Sequence, residues 1–250
     1  MAVGAAVGIA RNALAALDII GPSAADTLDG AGAVPRLGVR FMLGQGPSQG
    51  ALIDEADAKA EHRRLTSIVH RAAWLKELLS DVPSDCMHTS KKLLRVDTPT
   101  AGPLTLHFTG GTTHECDILI GADGIYSTVR GIILRKDNTA TQPRNSGQWL
   151  VMALIPYEKA QASLGNDLVN IDDAREYMWT GDGHFMLHNV LSGGKEVQFV
   201  IATKDDDAVM SDRWQQSVSI EEMQRFFQHG LPHLNKAVTE ASASLLNVAR

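Results

Sequence analysis

The sequence predicts an α/β protein, with a second, antiparallel sheet in its C-terminal half. Three observations lead there. Ile118-Leu119-Ile120 is apolar at every position, as a strand buried on both faces requires, and runs through small residues into a helical pattern. Between about 92 and 117, short strand-like pieces are separated by turn residues. Beyond residue 147, further strand-like pieces follow one another, two of them joined by Ser192-Gly193-Gly194-Lys195.

The 250 residues are 44% hydrophobic and 21% charged, a globular composition far from that of a disordered chain. The net charge is −6 with no basic block, so nucleic acid is not an expected partner. No uncharged run reaches the roughly 18 to 20 residues of a membrane span. Arg11 and Asp18 break the apolar start, so neither a span nor a signal peptide is expected. Two cysteines, Cys86 and Cys116, fit a reducing, cytoplasmic location and point to no metal site.

In chain order, Ile9, Ala13, Leu14, Leu17 and Ile20 recur at helical spacing, with Asn12 as a start signal and Gly21-Pro22 as a stop. Residues 22–33 read as a short helix or loop. Leu37, Val39 and Phe41 alternate with Gly38 and Arg40 as in a half-buried strand, and the polar stretch 44–61 reads as a surface loop. A short strand at 66–69 feeds a helix with Ala72, Leu75, Leu78 and Leu79 on one face, closed by Pro83. Pieces at 93–97, 104–109 and 112–116 form an antiparallel meander, its second turn Gly110-Gly111 suited to positive φ. After the 118–120 strand, Ser127 caps a helix through Val129, Ile132, Ile133 and Leu134. The polar segment 136–147 is a domain crossing. Strands are expected at 149–155, 176–179, 185–191 and 196–202, and helices at 220–229, introduced by Ser219 and Glu222, and at 235–246.

The sharpest local signal is the run from Gly121 to Arg130, Gly-Ala-Asp-Gly-Ile-Tyr-Ser-Thr-Val-Arg, placed after the apolar strand. Small residues there let a ligand's phosphates approach the backbone, and a carboxylate with an arginine can hold ribose hydroxyls or a pyrophosphate. The competing reading is a plain strand-helix turn with Asp123 as a local cap, and the residues alone leave both open.

CDILIGADGIYSTVR resembles the Asp-Gly motif of the FAD-dependent aromatic hydroxylases, the group A flavoprotein monooxygenases, and in particular their salicylate hydroxylase branch. TSIVHRAAWLKELL resembles the same family's VHR helix start, and LHFTGGTTHECDILIGADG its meander. The resemblance implies an FAD-binding Rossmann-like domain with a mixed or antiparallel substrate domain. It implies FAD as cofactor, NAD(P)H as reductant, and dioxygen and a small aromatic compound as substrates. Arg71 matches the arginine that reaches the flavin's phosphate and ribitol region, the alternative being an ordinary surface arginine at a helix start. Asp123 and Gly124 match the Asp-Gly pair that contacts FAD, and Gly121 precedes it. Arg130 matches the helix arginine, the alternative being that it only braces Asp123. Gly4, in GAAVGI, resembles a glycine-rich stretch beside the flavin.

The departures from the family pattern are equally specific. The family's Gly-x-Gly-x-x-Gly turn is absent, since Gly44, Gly46 and Gly50 have the wrong spacing, and so is its C-terminal Gly-Asp motif. The expectation is a shortened member, with 1–140 a partial flavin domain containing the 92–117 meander and 147–250 a partial substrate domain. Met152 stands where the family often carries an arginine, and His188 lies near a frequent tyrosine. His188 is either an acid-base group or a strand residue without chemistry. The rival expectation is a non-catalytic, truncated family member whose uncovered sheet edge calls for self-association or a partner chain.

Overall fold

The computed structural model describes residues 6–58, 64–135, 139–204, 219–228, 230–242 and 245–249. It divides into two compact units, one of 1–81 with 146–250 and the other of 82–145.

In the larger unit, β1 (Ala6–Ile9), β5 (Thr66–His70) and β2 (Val34–Arg36) form an antiparallel sheet in the order β1-β5-β2. Ile9, where the spacing predicts helix, instead ends β1. Helix α1 (Arg11–Ile20) follows, then α2 (Pro22–Gly30), with proline in the first turn where its missing N–H costs nothing. These helices and α3 (Arg71–Leu78) bury Leu14, Leu17 and Leu28 with Ile9 and Val69 in a small core.

The second sheet of this unit has the order β13-β9-β12-β11-β10-β3-β4. Its strands are β3 (Gly38–Leu43), β4 (Leu52–Asp57), β9 (Gln148–Pro156), β10 (Arg175–Thr180), β11 (His184–Leu191), β12 (Glu196–Lys204) and β13 (Leu245–Ala249). It is mixed rather than antiparallel throughout, because β3 and β10 pair in parallel, Gly38 opposite Arg175. Packing thus adds two strands of the 1–140 segment, β3 and β4, to one edge of the strands from the 147–250 segment.

Alternation gives this sheet two faces. One carries Val151, Ala153, Ile155, Phe199, Ile201, Met186 and Trp179, buried beneath α5 (Tyr157–Leu164), α6 (Ile220–Phe227) and α7 (Pro232–Ser242). On that face Phe199, His188, Tyr177, Arg40 and Glu55 lie opposite one another across five strands. His188 stacks 5.0 Å from Tyr177 and 5.8 Å from Phe199, and the Arg40 guanidinium sits 5.7 Å above the Tyr177 ring. On the opposite face Gln198 is buried and accepts the Ala6 N–H of β1 at 2.5 Å, while Met152, Val200, Leu187, Met178 and Phe41 are half-buried.

Two further expectations change here. The 44–61 loop contains β4, an edge strand whose charges find partners across the sheet, so polarity did not preclude pairing. The last helix ends at Ser242, and Leu245–Ala249 pairs with β9, where tertiary pairing overrides helical spacing. Helix α5 carries no signal strong enough for the sequence to announce it.

The smaller unit contains the expected meander, β6 (Leu93–Asp97), β7 (Leu104–Phe108) and β8 (Thr113–Cys116), antiparallel in the order β6-β7-β8. Gly111 takes φ +77° in the β7-β8 turn. The strand expected at 118–120 is not formed: Ile118 is 79% and Ile120 85% exposed. A strand buried on both faces needs neighbours on both edges, and among the described residues none pairs with this run. Helix α4 (Thr128–Leu134) follows as expected, capped by Ser127, whose hydroxyl accepts the Arg130 N–H at 2.9 Å.

Candidate functional site

The Gly121–Arg130 run folds into a closed loop at the start of α4. The Asp123 Oδ2 accepts the backbone N–H of Thr128 at 2.6 Å and of Val129 at 3.3 Å, while Oδ1 accepts the Ser127 hydroxyl. The carboxylate is thus held by donors of its own loop, on a side chain that remains exposed. The Ser127 hydrogen bond, then the Val129 and Thr128 N–H groups, hold the Asp123 carboxyl below the usual carboxylate range.

Glycine is required twice. Gly124 takes φ +80°, and a Cβ at Gly121 would lie 2.5 Å from that of Val129, so the backbone there runs tight against α4. Arg130 reaches back along the loop, its guanidinium donating to the carbonyls of Ile125 and, at 3.1 Å, Thr141. Two open clefts meet at Tyr126. One, of about 460 Å³, is lined by Lys91, Phe108, Leu119, Gly121 and Asp123, and the other, of about 320 Å³, by Ser127, Thr141 and Pro143.

The structure therefore gathers Gly121, Asp123, Gly124 and Arg130 in one loop of the smaller unit. Arg71 and His188 belong to the larger unit, on different elements. Arg71 is the first residue of α3 and exposed, next to His70, whose Nδ1 caps the helix by accepting the Ala73 N–H at 3.3 Å. Among the described residues, no hydrogen bond or ion pair engages the Arg71 guanidinium. Gly4 lies outside the described residues.

His188 is 1% exposed in the helix-covered core. Its Nε2 meets the Leu168 carbonyl at 3.1 Å, and burial pushes its pKa down to about 4, so the ring is neutral at pH 7. Sequence reasoning passed over the charged cluster beside it. The Arg175 guanidinium bonds Glu55 at 2.7 Å, Asp57 at 3.0 Å and Asp173 at 2.9 Å, and Arg40 bonds Glu55 at 2.8 Å and the Tyr177 hydroxyl at 3.0 Å. Gly38 is the signal that could have located it, because a Cβ there would sit 2.3 Å from the Ala56 carbonyl oxygen and 3.0 Å from Arg175.

No family model matches the chain. Among curated proteins, the 6-methylsalicylate 1-monooxygenase of Aspergillus terreus is 31% identical over 211 residues, 82% of this chain and 46% of the relative. The salicylate hydroxylase of Pseudomonas putida is 33% identical over 132 residues, 51% of this chain and 30% of the relative. The chain's relatives are FAD-dependent aromatic monooxygenases. It spans less than half the length of these two monooxygenases.

Solved structures agree on the fold. A salicylate hydroxylase in a substrate complex superposes with a TM-score of 0.76 at 18% identity, covering 98% of this chain and 60% of that one. Klebsiella pneumoniae HpxO, solved with FAD and uric acid, gives 0.73 at 16% identity, covering 98% and 58%. The fold is that of the FAD-binding aromatic hydroxylases over the part these chains share. Within the described residues, no helix is long and apolar enough to cross a membrane.

Proposed function

We propose that this chain belongs to an enzyme that hydroxylates a small aromatic compound with FAD, NAD(P)H and dioxygen. The observation that carries the reading is the Asp123 loop. Its carboxylate is exposed and held below the usual carboxylate range, and beside it a Cβ at Gly124 would meet nothing within 4 Å. That acceptor fits a cofactor rich in hydroxyls. The Arg71 guanidinium, which no described residue engages, has donors spaced for two phosphate oxygens and fits its phosphate.

In this reading 1–140, with the 92–117 meander, contributes the flavin contacts and 147–250 the substrate contacts. Asp123 accepts a cofactor hydroxyl, Gly121 and Gly124 admit the cofactor to the backbone, Arg130 braces the loop, and Arg71 holds phosphate. FAD, when bound, supplies the redox chemistry with dioxygen. The protein's part is to bind, orient and exclude water. The burial of His188 supports a strand role for it. Cys86 and Cys116, both free thiols, support a cytoplasmic location.

A second reading is favoured by the exposure of Ile118 and Ile120: the chain alone does not complete a flavin site, and a partner or second copy covers that run. One experiment separates the two. The 250-residue chain is incubated with FAD, freed of unbound cofactor and examined by visible absorption and far-UV circular dichroism. Retained flavin bands, with affinity reduced roughly tenfold or more in Asp123→Ala at unchanged dichroism, support the first reading. A folded, colourless protein supports the second.

A further inference from the structure

Resting on the reading that the 147–250 segment faces the substrate, we infer that the open face of the seven-stranded sheet receives an uncharged aromatic ring and discriminates against aromatic carboxylates. Met152, Val200, Leu187, Met178 and Phe41 lie opposite one another in a single row across five strands. Because side chains alternate, all five project from the face opposite the helix-covered core. Each is half-buried. At about 4.8 Å between strands the row is roughly 19 Å long, ample for a ring laid flat. Phe41 offers an aromatic contact, and Met152 and Met178 offer sulfur contacts to a ring edge.

Among the described residues, the charges around this row disfavour an anion. At its β4 end it closes on Asp54, which is exposed. In the neighbouring row on the same face, Glu176 is held by Arg36 at 3.1 Å, so that cation is already spent. Among the described strand residues, the position that carries a cation on this face is Lys204, four residues along β12 from Val200 and therefore roughly 13 Å away. A carboxylate placed on the row would give up hydration without gaining a counter-charge, and Asp54 would repel it. A phenol or dihydroxybenzene has no such cost. Met152 is the residue that decides the matter, since an arginine at its position would stand in the row itself.

The test reads binding to the full 250-residue chain, with no need for FAD. Methionine methyl resonances are followed by NMR during titration with resorcinol and, separately, with salicylate. The expected result is movement of the Met152 and Met178 signals by resorcinol, with salicylate weaker by roughly tenfold or more. Met152→Arg is expected to reverse that order, and Met178→Lys repeats the test from the neighbouring strand should the first variant fold poorly. Salicylate binding to the wild-type row as well as resorcinol, or resorcinol leaving both methionine signals unmoved, overturns the inference. Failure of FAD retention with the neutral preference intact would remove the flavin reading and leave the face's selectivity standing. Flavin retention with a preference for salicylate would do the reverse.

Discussion

His188 is where a single residue couples the fold to pH. Its pKa falls from 6.5 to about 4 because the charged ring would be desolvated. Between those values the unfolded chain binds more protons than the folded one, so stability falls as pH drops through that window. The loss from this residue is about 3 kcal/mol by pH 4. Urea unfolding measured from pH 7 to pH 4 should show that slope, and His188→Phe should flatten it. Gly38 makes a different demand. A methyl group there meets the Ala56 carbonyl oxygen at 2.3 Å, a backbone atom that cannot swing aside, and crowds Arg175. Gly38→Ala should destabilise the protein by about 1–3 kcal/mol in the same assay. The role of His188 is not legible in the sequence, because its burial depends on the Tyr177 and Phe199 rings that other strands bring against it, and Gly38 is legible only as a glycine whose reason, Arg175, lies far along the chain. The Ser127 cap, by contrast, is legible from the sequence, since it closes on the N–H three residues ahead.

At the scale of elements, α4 and its loop act as one piece. Ser127 donates to Asp123 and accepts from Arg130, so removing the hydroxyl undoes the cap and one arm of the carboxylate together. Ser127→Ala should cost about 1 kcal/mol of stability by thermal or chemical unfolding and, on the proposed function, weaken FAD retention as well. The meander is fully readable because alternation and Gly110-Gly111 are local signals. The 118–120 run shows the opposite limit. Its apolar pattern is real, but a strand exists only through its neighbours, and the pattern cannot say whether they are present. Strand β4 fails in the other direction, its polar sequence masking a pairing that depends on charges supplied by β10.

The whole molecule places an inserted unit, 82–145, inside the chain of a discontinuous one. Parallel pairing of β3 with β10 joins segments on either side of that insertion, and Arg40 meets Tyr177 across 137 residues. The arrangement sets a timetable for biosynthesis. A ribosome adding roughly 5–20 residues per second takes on the order of ten seconds to deliver β10 after β3 has emerged. Throughout that interval Phe41 and Met42 have no parallel partner, and Arg40 lacks the tyrosine beneath it, while the inserted unit already has all its residues and can begin to fold. The nascent chain spends its most vulnerable period with the β3–β4 hairpin waiting, and its solubility during synthesis depends on the carboxylates of that hairpin, Asp54, Glu55 and Asp57, before they depend on Arg175.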